Sequence, residues 1–302
     1  MPPIDVRPFR RSDREQLAAI VNLHIGSVLP GVTVSVNAVM SQLEREPGEN
    51  ILDPWVVERM TLVAVERERI VAGTHLLRYG ADDRVSPSYR GAGEIRWLVC
   101  ETDHEEAGDR LVTSAVERLE RWGVDHLHAD VSLPAPCCYG VTASWPHLRR
   151  IFQRAGFVHD GHEEVILLAR VDDLPALVEP LDSGMTVWRR TGLLGTRFSA
   201  MLGDREVGFI EVEADLTSGG TLSRLAGWAD VGNLHVAGEM RRRGIATWLV
   251  GAAADWLRLA GVDRLIAYCE PDHADEHAFL VSCGWRELTR TERGWSRASA
   301  SR

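Results

Sequence analysis

Asn233-Leu-His-Val-Ala-Gly-Glu-Met-Arg-Arg-Arg-Gly-Ile-Ala-Thr-Trp-Leu-Val250 is the stretch on which the fold turns. A strand predicted over Asp230 to Val236 feeds a basic glycine turn, Arg241 to Ala246, and then an amphipathic helix, Ala246 to Leu259. A glycine turn at a helix N-terminus aims several backbone N–H groups at one point, and the helix dipole adds positive potential there. The combination predicts an anion site, with phosphate its natural occupant.

Working outward, a strand is expected at Arg264 to Cys269 and a helix at Ala274 to Cys283. Upstream, Met185 to Arg189 reads as a strand, and Thr196 to Leu202 with Glu206 to Ala214 as a hairpin around Gly203-Asp204. The first half carries the same order. Strand Ile4 to Phe9 is followed by a helix opened by the capping-box spacing Ser12-Asp-Arg-Glu15, and by a second helix, Asn37 to Arg45. A hairpin (Thr61 to Val65, Ile70 to Arg78), a strand (Glu94 to Cys100), a helix (Ala107 to Trp122), a strand (Asp125 to Leu133) and a helix (Trp145 to Ala155) complete it.

The halves also match by residue. Gly261-Val-Asp263, Leu265 and Ala267 repeat Gly123-Val-Asp125, Leu127 and Ala129, and Val250, Ala253 and Leu257 keep the offset of Val112, Ala115 and Leu119. Phe279 to Trp285 matches the segment ending at Phe157 once about ten extra residues around Pro134 to Gly140 are allowed in the first copy. The second copy lacks the two helices after its first strand. A duplication places one domain at 1–172, a breaker-rich linker at 173–184 and a second domain at 185–302.

Composition removes several function classes. All 34 basic residues are arginine, so chemistry that needs lysine is excluded: a Walker-A loop, a Schiff base, a pyridoxal-phosphate anchor. A net charge of −10 disfavours nucleic acid. Met1 to Asp13 has no signal-peptide core, and no apolar run approaches a membrane span. Five cysteines without a CxxC pair fit reduced thiols rather than a metal site, so the expectation is a cytoplasmic protein with no membrane partner and an open oligomeric state.

In this context the residues resemble the GNAT superfamily of acyl-CoA-dependent N-acyltransferases. The family's Gln/Arg-x-x-Gly-x-Gly/Ala turn is met by Arg241, Gly244 and Ala246, and its Val-x-Pro-Glu lead-in is approximated by Val236-Ala-Gly-Glu239. A later family pattern is met by Phe279, Gly284 and Trp285, and departs at His273, Glu276 and Leu280, the last standing where the family has tyrosine. The resemblance implies the α/β class with a mixed sheet: two tandem GNAT-like domains, each a mostly antiparallel central sheet splayed between its fourth and fifth strands and flanked by helices. In the first half the matching turn is Asp103-His-Glu-Glu106-Ala-Gly108, where acids replace arginine and glycine, so only the second half is expected to bind CoA.

The resemblance further implies direct acetyl transfer from acetyl-CoA to an amine of a small molecule or peptide. Pantetheine would lie along Leu234, His235 and Val236, and the pyrophosphate would take the amides of Arg241, Arg242, Arg243, Gly244, Ile245 and Ala246, with Thr247 and His273 nearby. A backbone N–H near Val236 would hold the oxyanion. An alkyl ammonium is deprotonated in about one molecule in 10³ at neutral pH, so a base is needed. Asp230, eleven residues before Arg241, is the candidate, and Glu211 and Glu213 share one sheet face that would suit a cationic substrate. The general acid is open between Tyr268, His273 and departure of CoA as thiolate. A catalytically silent acyl-CoA-binding module is the alternative reading.

Overall fold

The computed structural model of the protein describes residues 3–45, 53–178, 184–214 and 227–298. The first half comprises β1 (Ile4–Pro8), α1 (Arg14–Val28), α2 (Val36–Glu44), β2 (Val56–Glu66), β3 (Arg69–Tyr79), β4 (Gly93–Cys100), α3 (Glu105–Arg121), β5 (His126–Ala129), β6 (Val141–Thr142), α4 (Pro146–Arg154) and β7 (Val158–His159). The rest comprises β8 (Glu163–Arg170), β9 (Met185–Thr191), β10 (Thr196–Leu202), β11 (Arg205–Glu213), β12 (Trp228–Val236), α5 (Ile245–Leu259), β13 (Arg264–Cys269), α6 (Ala274–Ser282), β14 (Arg286–Glu292) and β15 (Trp295–Ala298).

These strands form two mixed sheets, ordered β1-β2-β3-β4-β5-β15-β7 and β6-β14-β8-β13-β12-β11-β10-β9. In each half the fourth and fifth strands are parallel, β4 with β5 and β12 with β13, over only three residue pairs before they part. That is the expected fold. Local reasons are visible throughout. The Ser35 hydroxyl accepts the Ala38 N–H and starts α2, while Leu111, Ala115, Val116 and Leu119 bury one stripe of α3. The capping box expected on Ser12 and Glu15 is replaced by Asp13, whose carboxylate accepts the Arg10 N–H at 2.7 Å and pairs with Arg7, which holds its carboxyl below the usual range. No helix among the described residues is long and apolar enough to cross a membrane, and all five cysteines are buried free thiols.

The chain divides differently from the boundaries expected at 172 and 185. One compact unit takes residues up to Glu163 and returns with the C-terminal segment from Arg290; the other runs from Glu164 to Thr289, apart from a short stretch outside the described residues. The cause is strand pairing. β8 pairs antiparallel with β13, and β15 occupies the place beside β5. Part of the expected linker is packed rather than loose: Leu174 is buried, and Arg258 donates to the Val171 and Leu174 carbonyls. Residues 179–183 of it lie outside the described residues. A Cβ on Gly251 of α5 would lie 2.9 Å from the Ala176 carbonyl oxygen and 3.0 Å from the Leu177 Cα. Gly251→Val is therefore expected to cost about 1–3 kcal/mol in urea unfolding, because backbone must move to admit it.

Two further departures matter below. The strand expected to reach Leu133 ends at Ala129, and the chain folds back, with Gly140 donating to the Asp130 carbonyl and Leu133 to that of Cys138. In the second half the turn between β9 and β10 is short, closed by the Gly192 N–H on the Gly195 carbonyl at 2.7 Å, and no helix follows the first strand.

Candidate functional site

β12 ends at Val236, a short 3-10 turn covers Gly238–Met240, and four residues then lead to α5. Met240 is buried and anchors the turn, while Arg241, Arg242, Arg243 and Gly244 are exposed. Arg242 and Gly244 are left-handed, with φ of 62° and 81°. That conformation is uncommon for a residue with a side chain, and strain of this kind gathers at functional sites. A Cβ on Gly244 would meet nothing within 4 Å, so the turn opens outward. Inside α5, the N–H groups of Ile245, Ala246 and Thr247 have no carbonyl one turn back to bond. No acidic residue sits in that first turn. Basic residues at the positive end of a helix are unfavourable there, so a basic turn at this point suits an anion.

The strand before the turn is open on one side. β12 and β13 pair at Trp228–Arg264, Ala229–Leu265 and Asp230–Ile266, and then separate. Gly232 is the extra residue of a bulge against β11, packed under Leu194 of the β9–β10 turn, and Gly232, Asn233 and His235 are exposed. The Ala237 N–H donates to the Val207 carbonyl on the β11 side, and amides alternate edges along a strand. Leu234 and Val236 therefore turn their amides to the open edge, whereas the backbone of His235 faces β11. The Val236 carbonyl on that open edge accepts Arg241 Nε at 3.1 Å, so Arg241 ties the strand end to the turn.

Asp230 forms the last rung before the strands part. Ala229 belongs to the core packed with α5, so its neighbour Asp230 faces the other side of the sheet. Burial first, then the Glu213 carboxylate directly across on β11, raises its carboxyl to about 6, opposed by the Glu213 N–H. Glu211 and Glu213 share that face as expected, but Glu211 is buried and held by Arg197 at 3.0 Å and by the Leu193 N–H. It braces the β9–β10 turn rather than offering charge to a substrate. Tyr268 is half-buried, and alternation from the core residues Ala267 and Cys269 places it on the Asp230 face. His273 stands at the start of α6, exposed and between Glu270 and Glu276. Thr247 hydrogen-bonds the Cys283 thiol, which burial pushes up, and Leu280 is buried in the core.

The first unit provides an internal comparison. All eight residues of β4 are buried, against the exposed edge of β12. Its open edge is closed by its own chain: the Ser132 N–H donates to the Arg96 carbonyl at 2.6 Å, and Gln42 holds the Ser132 carbonyl. The turn is also shorter than its sequence match implied. α3 starts ten residues before Ala115, whereas α5 starts eight before the equivalent Ala253, and α3 follows its 3-10 turn directly. The pyrophosphate-sized loop is absent, and its place is helix. Glu105 and Glu106 complement that helix end, with Glu105 paired to Arg150 and Arg154 and Glu106 to Arg110.

A sequence model of the "Acetyltransferase (GNAT) family" matches residues 168–285. No curated protein matches the chain by sequence. Among solved structures, the chain is similar over 99% of its length to a tandem GNAT protein from the clavulanic acid biosynthesis pathway, all of which is covered, with a TM-score of 0.64 and 15% identity. It is similar to a GCN5-related N-acetyltransferase from Sphaerobacter thermophilus (TM-score 0.60, 14% identity, 100% and 98% covered). A fungal glucosamine N-acetyltransferase region of a multi-domain β-N-acetylglucosaminidase also matches (0.62, 15%), covering 98% of this chain and 38% of that one. Residues 168–285 match the GNAT family model, and the chain as a whole has the fold of a tandem GNAT protein.

Proposed function

We propose that the second unit transfers an acetyl group from acetyl-CoA to an amine of a small molecule or peptide, in one direct step. The observation that carries this reading is the Asp230 carboxyl at the fork of β12 and β13, on the strand whose open edge leads into the anion turn. The turn from Arg241 to Thr247 takes the pyrophosphate through its amides and arginines. The Leu234 and Val236 amides take the pantetheine edge, with Val236 N–H toward the thioester oxygen. His235 contributes at most its exposed side chain, and His273 lies at the next helix start.

Asp230 removes the proton that the ammonium must lose, directly or through one water, as a nitrogen–carbon bond forms. The oxyanion then collapses, the carbon–sulfur bond breaks, and the nitrogen gives up its second proton to water. CoA leaves as thiolate, whose reference pKa near 8.5 makes this accessible without an acid, or takes a proton from Tyr268. Glu213 beside Asp230 adds the negative potential that draws a cationic amine in.

A carboxyl titrating at about 6 sets the pH response. With saturating acetyl-CoA, kcat/KM for the amine is expected to rise with pH and level off above about 6, because the base works only when ionised. Asp230→Asn should erase this limb. A wild-type profile governed by the amine's own ionisation alone would remove Asp230 from the role.

Leu280, buried where the family has tyrosine, favours the second reading of a silent acyl-CoA-binding module. Turnover against polyamines, aminoglycosides and peptide N-termini separates the two, since the module would bind acetyl-CoA without releasing thiol.

A further inference from the structure

Glu94 in the first unit is the counterpart of Asp230. With Leu127 and Leu265 as equivalent positions of the repeat, the pairs Gly93–Leu127 and Ala229–Leu265 set the strands in register. One step further, Glu94–His128 matches Asp230–Ile266, and the bulge residue Arg96 matches Gly232. The first unit thus retains a carboxylate at its fork although its CoA edge is filled by Ser132 and its phosphate turn is absent.

That carboxylate is buried, accepts the Tyr79 hydroxyl, and lies 3.3 Å from Arg96. It lines a cavity of about 380 Å³ together with Ser88, Tyr89, His128, Asp130 and Arg293, and with Asp160, His162 and Trp295 at its other wall. The volume falls within the range of small-molecule sites, and the buried Glu94 carboxylate on its wall is costly for packing alone. The carboxylates Glu94, Asp130 and Asp160 outnumber the guanidiniums of Arg293 in the lining and Arg96 beside Glu94. Asp130 and Arg293 are 3.4 Å apart, long for a charge-assisted bond, so Asp130 keeps capacity for a ligand donor. Burial pushes the His128 imidazole down, so it adds no positive charge at neutral pH. Tyr89 and Trp295 place aromatic rings in the lining, a residue type that attracts cations.

We propose that the first unit binds a small cationic amine in this cavity, independently of CoA. The site is distinct from the Asp230 fork and does not depend on the second unit being an acetyltransferase.

The test is calorimetric titration of the full chain, without CoA, with spermidine, agmatine and glucosamine, and with N-acetylglucosamine as the uncharged control. Saturable binding of at least one amine and none of the control is expected. Ser88→Trp, at an exposed rim position, should weaken it about tenfold or more and leave acetyl transfer at its wild-type rate. Asp130→Asn should weaken it by about tenfold, one lost charge-assisted contact. Asp230→Asn should leave this binding intact. Absence of saturable binding by all three amines overturns the proposal, as does binding lost in Asp230→Asn but indifferent to Ser88→Trp, which places the amine in the second unit.

Discussion

Asp230→Asn is expected to lower kcat/KM by about 10²- to 10⁴-fold, the usual contribution of a positioned base, while acetyl-CoA affinity stays at the wild-type value. The same substitution should stabilise the protein. Burial and Glu213 raise the Asp230 carboxyl to about 6 from its ordinary 3.8, so the folded chain binds this proton more tightly than the unfolded chain does. The contribution to stability is present below about pH 4 and is lost as pH rises through about 6. At neutral pH the ionised carboxylate costs the fold about 3 kcal/mol, much of which the neutral amide removes. Urea unfolding of both proteins at about pH 7 and at about pH 4.5 should therefore show the variant ahead at the higher pH and the gap narrowing at the lower. A variant that loses activity and stability together would mark Asp230 as a structural residue of β12. Opposite signs in rate and stability are the mark of a group kept ionisable for chemistry.

Much of this was legible in the sequence because the decisive signals are local. The glycine turn, the apolar stripes of α3 and α5 and the repeat of Gly123-Val-Asp125 in Gly261-Val-Asp263 each report on a few consecutive residues. The spacing to Arg241 is what singles out Asp230 as the candidate base. Partner choice was not legible. Nothing within Glu163–Arg170 says that β8 pairs with β13 and leaves the place beside β5 to β15, since these pairings join residues roughly 100 and roughly 170 positions apart. Glu94 was missed for a related reason. Matching the halves through their helices puts it out of step with Asp230, because the first turn is two residues shorter: Glu94 precedes Asp103 by nine positions, Asp230 precedes Arg241 by eleven. Matching the halves through Leu127 and Leu265 brings the two carboxylates together.

The same comparison gives a different reason for expecting no phosphate site in the first half. Acids in place of arginines suggested repulsion of a bound pyrophosphate. Instead, α3 extends over the turn, its first residues pair with α4, and Ser132 seals the strand edge. Reversing the charges at Glu105 and Glu106 would not restore a site, because the amides that would hold phosphate are inside a helix and the edge for pantetheine is occupied.

Gly244→Glu is expected to abolish acetyl-CoA binding, and Gly244→Ala separates the two causes. Gly244 is left-handed, a conformation that costs a residue with a side chain about 1–2 kcal/mol. In Gly244→Ala that is the whole penalty, because the added Cβ meets nothing within 4 Å. Part of it falls on folding rather than binding, so acetyl-CoA affinity should drop by no more than about tenfold. In Gly244→Glu the same backbone carries a carboxylate into the phosphate position. One negative charge about 4 Å from another costs about 4 kcal/mol at an effective dielectric of 20, enough for more than a 100-fold loss of affinity. The repulsion is electrostatic and partly exposed, so raising salt should recover some affinity in Gly244→Glu and none in Gly244→Ala. Calorimetric titration with CoA across a salt series reads both effects. Equal losses in the two variants would make the turn a purely conformational requirement. No loss in either would place the pyrophosphate elsewhere.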